Sequence, residues 1–256
     1  MAKRPSSRHV SLARALSKLG FASRTEAAEL ITNGGVTVNA RVITDPNAWV
    51  DLARAKIEVK NRRVEAAELI YFMMNKPAGL ITTRSDELGR PTVYDLLPPD
   101  SRAVSPVGRL DKDTSGLLIF TNDHAFANGL TAPGSIEKLY HVAVDRPLDD
   151  AAVRAFQKPM TLGDGTQLKP AAISNLSVSK CEFDITIREG KNRQIRRACE
   201  FLGYIVKTLA RRSIGPLRLG ALAEGETRPL TIREVTELRA AAGRPHLKKL
   251  LPRRQL

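Results

Sequence analysis

Cysteine is nearly absent from this chain, which holds only Cys181 and Cys199. Neither belongs to a CxxC pair, and the four histidines (His9, His124, His141, His246) are scattered. The sequence therefore offers neither a disulfide framework nor the ligand spacing of a zinc site, and no metal or cofactor is expected. No run is long and apolar enough to span a bilayer. The basic opening MAKRPSSRHV leads into an amphipathic segment, not into the unbroken apolar stretch of a secretory leader. The expected compartment is the cytoplasm. Aromatics make up only 5% of the 256 residues, so the core must be built mainly from aliphatic side chains, within a hydrophobic content of 42%. Acids are the minority charge, 27 Asp and Glu against 41 Lys and Arg, for a net +14. Such a field favours polyanions, either nucleic acid or an acidic membrane surface.

Periodicity divides the chain. From Ser11 the pattern is helical, with Leu12, Ala15, Leu16 and Leu19 on one face and Gly20 at the end. Ser23 and Glu26 have capping-box spacing ahead of a second helix with Ala27, Leu30 and Ile31 inward. VTVNARVI then alternates as a short hairpin with Asn39-Ala40 at its tip. Further on, LIYFMMNKP and TSGLLIFT read as buried strands. EKLYHVAV and CEFDITIR alternate, placing Tyr140, Val142 and Val144 on one face and Phe183, Ile185 and Ile187 on another. After Gly190 comes a helix with Asn192 as its expected N-cap and Ile195, Ala198, Cys199 and Leu202 as its apolar stripe. The fold class is α+β: a small αα-β module over residues 8–66, a larger domain with a mixed, mainly antiparallel sheet over 67–242, and a basic tail over 243–256.

Charge is concentrated at the front. Residues 1–64 carry twelve Lys and Arg against five acids, half the total excess on a quarter of the chain. Arg14 and Lys18 lie four apart on the polar side of the first helix, and Arg24 opens the second. A charged helix face is usually only solvated. The order of residues in SLARALSKLGFASRTEAAELITNGGVTVNARVITDP, however, resembles the S4 type of RNA-binding domain. That resemblance implies that Arg14, Lys18 and Arg24 contact phosphates, which position a protein without reading sequence.

The densest signal is GRLDKDTSGLLIFTND (108–123), a polar loop feeding an apolar strand. Aspartates in such a turn commonly cap backbone amides. In a strongly positive protein the loop can also present an ionised carboxylate as nucleophile or base without a metal. A second signal is EGKNRQIRRACEFLGY (189–204), which places Arg193, Arg196 and Arg197 at a helix N-terminus. Cations are disfavoured there unless a carboxylate or phosphate faces them. Lys76 reads as the solvated tip of its strand, while Asp113 and Thr114 read as loop-holding residues without substrate contact.

These segments, with Lys138-Leu139-Tyr140, MNKPAGLITTRSDELGRPTVYDLLP and RRSIGPLRLG, resemble the pseudouridine synthases of the RsuA/RluB group, in order, from about Ser11 to Thr236. Two positions depart from the group's pattern: Leu139 stands where an acidic residue is frequent, and His124 replaces the usual glycine after Thr121-Asn122-Asp123. The resemblance implies a cofactor-free isomerisation. Asp111 attacks or deprotonates the ribose of a uridine, the N1–C1′ bond breaks, the uracil turns, and a C5–C1′ bond forms. It further implies that Tyr140 stacks on the target base and that Arg196 pairs bidentately with Asp111. Arg109 would fill the stack the base vacates, Arg193 would help bind the substrate, and Leu219 would form an apolar floor. The uridine must flip out of its helix, at a cost of about a few kcal/mol. The implied partner is ribosomal RNA or a ribosomal subunit precursor, more readily 23S than 16S, met by a monomer. The competing reading is a non-catalytic S4-type ribosome-assembly factor. A DNA-binding or membrane-surface protein finds no recognition-helix dimer pattern and no amphipathic anchor in the sequence.

Overall fold

A computed structural model describes residues 9–22, 24–65, 68–98 and 104–243. Ser23 of the expected capping box, the junction drawn at 66/67 and the basic tail beyond Gly243 lie outside them. The chain divides into two units, one of residues up to 70 with 122–124, the other of 71–121 with 125 onward.

In the first unit β1 (His9–Ser11) runs into α1 (Leu12–Lys18), followed by α2 (Arg24–Thr32). Strands β2 (Val36–Val38), β3 (Arg41–Val42), β4 (Trp49–Asp51), β5 (Ile57–Val59) and β6 (Arg62–Arg63) follow. A four-stranded sheet has the order β3-β2-β5-β6, and β1 pairs with β4. The expected helical face packs as its spacing requires: Leu12, Ala15, Leu16, Ala27 and Ile31 are fully buried, and Val36, Val50, Ile57 and Val59 complete the cluster. At the hairpin tip Asn39 (φ 50°) and Ala40 (φ 65°) are both left-handed. That is the turn whose twist matches its flanking strands. The Asn39 side chain accepts the Lys56 amide at 2.9 Å and ties the tip to the segment before β5.

The second unit is built on a nine-stranded sheet. Its strands are β7 (Tyr71–Lys76), β8 (Ser105–Pro106), β9 (Ser115–Thr121) and β10 (Lys138–Val144), then β13 (Ala172–Ser174), β14 (Glu182–Ile187), β15 (Val206–Ile214), β16 (Leu217–Arg218) and β17 (Thr227–Pro229). A separate hairpin joins β11 (Met160–Thr161) to β12 (Gln167–Leu168). The main path is β13-β14-β10-β15-β9-β7-β17, and every pairing in it is antiparallel except β15 with β9. Helices α3 (His124–Thr131), α4 (Asp150–Phe156), α5 (Gln194–Phe201) and α6 (Ile232–Ala241) complete the domain. Side chains of α3 and α6 (Phe126, Leu130, Leu238) share a buried cluster with Met73, Leu117 and Ile119. Strand β9 is buried at every position but its first, hence its unbroken apolar sequence.

Two local features govern the site. Gly116, at φ 100°, lies at the parallel pairing of β9 with β15, and a Cβ there would stand 2.3 Å from the Arg211 carbonyl oxygen. Only glycine fits between these backbones. At α5 the N-cap is Arg193, left-handed (φ 46°, ψ 32°) and without a side-chain cap bond, rather than the expected Asn192. Just before the helix the Gln194 Oε1 accepts from the Lys191 N–H at 3.2 Å while the Gln194 N–H donates to the Lys191 carbonyl at 3.2 Å. This tight exchange turns the chain before Asn192 can cap it.

Candidate active site

The polar loop 108–114 is fastened along its whole length. The Val107 amide donates to the Ile119 carbonyl at 2.7 Å. The Thr82 hydroxyl donates to the Leu110 carbonyl at 2.8 Å and accepts the Leu110 amide at 3.3 Å. The Gly79 amide reaches the Lys112 carbonyl at 2.8 Å, and a turn closes from the Thr114 amide to the Asp111 carbonyl at 3.0 Å. Lys76 is not a solvated tip. It is fully buried, and its ammonium donates to the carbonyls of Thr114 (2.8 Å), Pro77 (2.9 Å) and Lys112 (3.3 Å). Burial pushes its pKa down to about 8, against the opposing pull of Asp111 and Asp113. A lysine ending a strand is ordinarily wet; here the loop folds over it and its carbonyls replace the water.

Arg196, on α5, holds the same loop from the far end. Its Nη2 donates to the Asp113 carbonyl at 2.8 Å and its Nη1 to the Val206 carbonyl at 3.2 Å, while Nε is buried without a partner. The expected bidentate pair with Asp111 is not formed, because backbone carbonyls occupy both terminal nitrogens. The carboxylates of Asp113 and Asp111 still face this guanidinium closely enough to favour its charge, although burial and Arg193 outweigh them and lower its pKa. Arg193 lies 3.7 Å from the Asp113 carboxylate in an exposed pair.

Above the loop opens a cavity of about 330 Å³ in which Asp111, Tyr140, Arg109 and Arg193 meet. Its aliphatic wall comes from Leu110, Ile187, Ile195 and Leu209. Tyr140 is buried, and its position opposite Arg211 across the β10–β15 pairing brings its hydroxyl to 3.5 Å from Arg211 Nη1. Thr114 also borders the cavity, with a buried hydroxyl that has no partner. A carboxylate, an aromatic plane and two exposed guanidiniums beside an aliphatic wall suit a base with its sugar and phosphate.

Leu219 does not form the floor. It is buried in the core cluster with Met73, Val107 and Leu117, borders neither this cavity nor the one next to it, and leaves the apolar lining to Ile187 and Leu209. Arg14, Lys18 and Arg24 are exposed on α1 and α2 of the first unit. Two residues were missed by sequence reasoning, Lys76 in its true role and Arg211. Arg211 is buried and donates from Nε to the Leu117 carbonyl at 2.7 Å. The alternation of Leu209, Arg211 and Ser213, all buried on one face of β15, is the signal that could have found it.

Comparison with known proteins adds to this geometry. Residues 70–201 match the RNA pseudouridylate synthase family and residues 10–51 the S4 domain. The Ribosomal large subunit pseudouridine synthase B of Bacillus subtilis is 39% identical over 236 residues, 90% of this chain and 96% of that protein. The Dual-specificity RNA pseudouridine synthase RluF of Shigella flexneri is 35% identical over 90% of this chain and 78% of its own length. The crystal structure of a pseudouridylate synthase superposes with a TM-score of 0.66 at 28% identity, covering 90% of this chain and 99% of that one. This chain belongs to the RNA pseudouridylate synthase family. It is an isomerase with an S4 domain ahead of its catalytic domain, rather than a binding-only assembly factor. Among the described residues no helix is long and apolar enough to cross a membrane, and no group of three His, Cys, Asp or Glu could hold a metal ion.

Proposed function

We propose that the protein converts one uridine of ribosomal RNA to pseudouridine in the cytoplasm, acting as a monomer, with Asp111 as the essential carboxylate. The observation that carries this reading is the meeting of Asp111 and Tyr140 in one cavity over an immobilised loop. The flipped uridine enters with its base against the Tyr140 ring and its C1′ facing Asp111. Asp111 attacks or deprotonates the ribose, the N1–C1′ bond breaks, and the uracil turns within the aliphatic wall. C5 then bonds to C1′, the C5 proton leaves, and N1 takes up a proton. Arg196 is a positioning residue: through the Asp113 carbonyl it fixes the turn that aims Asp111, and its unpartnered Nε stands ready for a carboxylate brought closer by substrate. Arg109 and Arg193 are both exposed at the cavity mouth; Arg109 fills the stack that the flipped base vacates, and Arg193 helps bind the substrate.

The S4 unit supplies affinity through Arg14, Lys18 and Arg24 without reading bases. The Bacillus subtilis relative carries the name of a ribosomal large subunit enzyme, and this supports 23S over 16S as the substrate. Deleting the gene and mapping pseudouridine across both ribosomal RNAs tests the assignment. One lost site in 23S is the expected result; unchanged maps in both RNAs would overturn it.

A further inference from the structure

Tyr140, Arg109, Gly108 and Gly190 also border a second cavity, of about 340 Å³, which Asp111 does not line. Two of its lining residues are cations on one face of the sheet. Lys138 stands two residues before Tyr140 on β10, and Arg211 faces Tyr140 from β15. Arg211 is only 3% exposed, and its Nη2 is buried with no hydrogen-bond partner. Its Nε and Nη1 are turned to the Leu117 carbonyl and the Tyr140 hydroxyl, which fixes the guanidinium in place. Lys138 is half-buried, its ammonium has no hydrogen bond or ion pair among the described residues, and burial together with Arg211 holds its pKa below the usual lysine range.

The neighbouring acids do not answer these charges. Glu137 pairs with Arg188 at 2.7 Å, and Glu189 accepts from the Gln194 side chain and the Lys169 amide, each at 2.8 Å. The remaining wall includes Leu130, Pro133 and Ile214. Two like charges drawn partly out of water beside an apolar wall are costly for the free protein. The cost is recovered when an anion with an apolar body arrives.

We propose that this second cavity is a subsite for the nucleotide adjoining the target uridine. Its phosphate lies against the Lys138 ammonium within the field of the Arg211 guanidinium, and its base or sugar lies against Leu130 and Pro133. The inference rests on the activity proposed above and extends it: the enzyme unstacks two successive nucleotides, with Tyr140 as the partition between them. Selection among uridines then depends in part on the neighbour.

The test uses the full chain carrying Asp111→Asn, so that RNA stays unmodified, with two probes. By NMR titration, uridylyl-(3′→5′)-uridine is expected to bind several-fold better than uridine, with Lys138→Met erasing that advantage and Lys138→Arg keeping it. With ribosomal RNA transcripts, Lys138→Met is expected to lower the slope of log affinity against log salt by about 0.7, the share of one phosphate on a single strand. Thermal unfolding separates this from a structural role, since removing a desolvated, unpaired charge leaves Tm unchanged or higher. Retention of the dinucleotide advantage in Lys138→Met, or an unaltered salt slope, overturns the subsite, as does a fall in Tm with both binding readouts intact. Pseudouridine formation by the unsubstituted enzyme on the same transcripts reads the activity separately. Its absence would remove the proposed function, while the dinucleotide titration would still decide whether the cavity holds a phosphate.

Discussion

The two units hold their cations in opposite ways. In the S4 unit Arg14, Lys18 and Arg24 stand exposed on helices whose other face builds the core. In the catalytic unit Lys76 is fully buried and Arg196 partly so, and both are bonded to backbone carbonyls of a single loop. Phosphate affinity asks for charges that stay hydrated until RNA arrives and that can settle on an irregular strand. Isomerisation asks for a carboxylate whose position is decided beforehand, since a misplaced catalytic group forfeits most of its effect. The same residue types thus stand exposed to solvent in one unit and serve as internal ties in the other.

The contrast can be broken most directly at Asp111. Asp111→Asn is expected to lower pseudouridine formation on ribosomal RNA transcripts by roughly 10³-fold or more, with RNA affinity unchanged. Activity near that of the parent would remove Asp111 from the chemistry. Next in size is Lys76→Met, which leaves the Lys112 and Thr114 carbonyls without their buried donor. It should cost about 1–3 kcal/mol of stability and slow single-turnover conversion about a hundredfold. Affinity for RNA should hold, and a defect in binding rather than in rate would contradict the tie.

The pH dependence sharpens the same point. The folded pKa of Lys76 lies at about 8, below the value of 10.5 it has when unfolded. Below pH 8 both states bind the proton and burial of the charge is a constant penalty. As pH rises from 8 to 10.5 the folded chain releases its proton first, so this penalty fades and the parent gains on Lys76→Met by on the order of 2 kcal/mol. Parallel melting curves for the two proteins across that range would refute it. The smallest effect is expected in the other unit. Arg14→Ala should weaken RNA binding a few-fold and lower its salt slope by about 0.7–0.9, with the rate at saturating RNA untouched. A slower rate there would mean that the S4 unit does more than tether.

Much of this was legible in the residues. Alternation in EKLYHVAV and CEFDITIR placed β10 and β14 and buried Tyr140, Val142, Phe183 and Ile185 as found. Spacing alone built the helical core of the S4 unit, and motif order gave the family. What stayed hidden was the destination of long cationic side chains. Local pattern could not show that residues 110–114 would close over Lys76, that Arg196 would take the Asp113 carbonyl instead of the Asp111 carboxylate, or that Leu219 would turn into the core. Each depends on which distant segments the sheet brings together, and β9 meets β15 only through tertiary pairing. Asn192 failed as a cap for a similar reason, since the Gln194 side chain closes the turn first.

Gly116 carries a last implication. The loop that bears Asp111 feeds into the sheet at the one place where two strands run side by side in the same direction, with no room for even a methyl group between them. The loop that carries Asp111 is therefore anchored at the tightest backbone approach of the sheet, and under the proposed function adjustment during the encounter would fall to the nucleic acid. Under the proposed function, uridines whose surroundings yield easily are the expected substrates, ahead of those in stiff duplex. Conditions that harden RNA, such as added magnesium or cold, should then throttle turnover more than they disturb the enzyme.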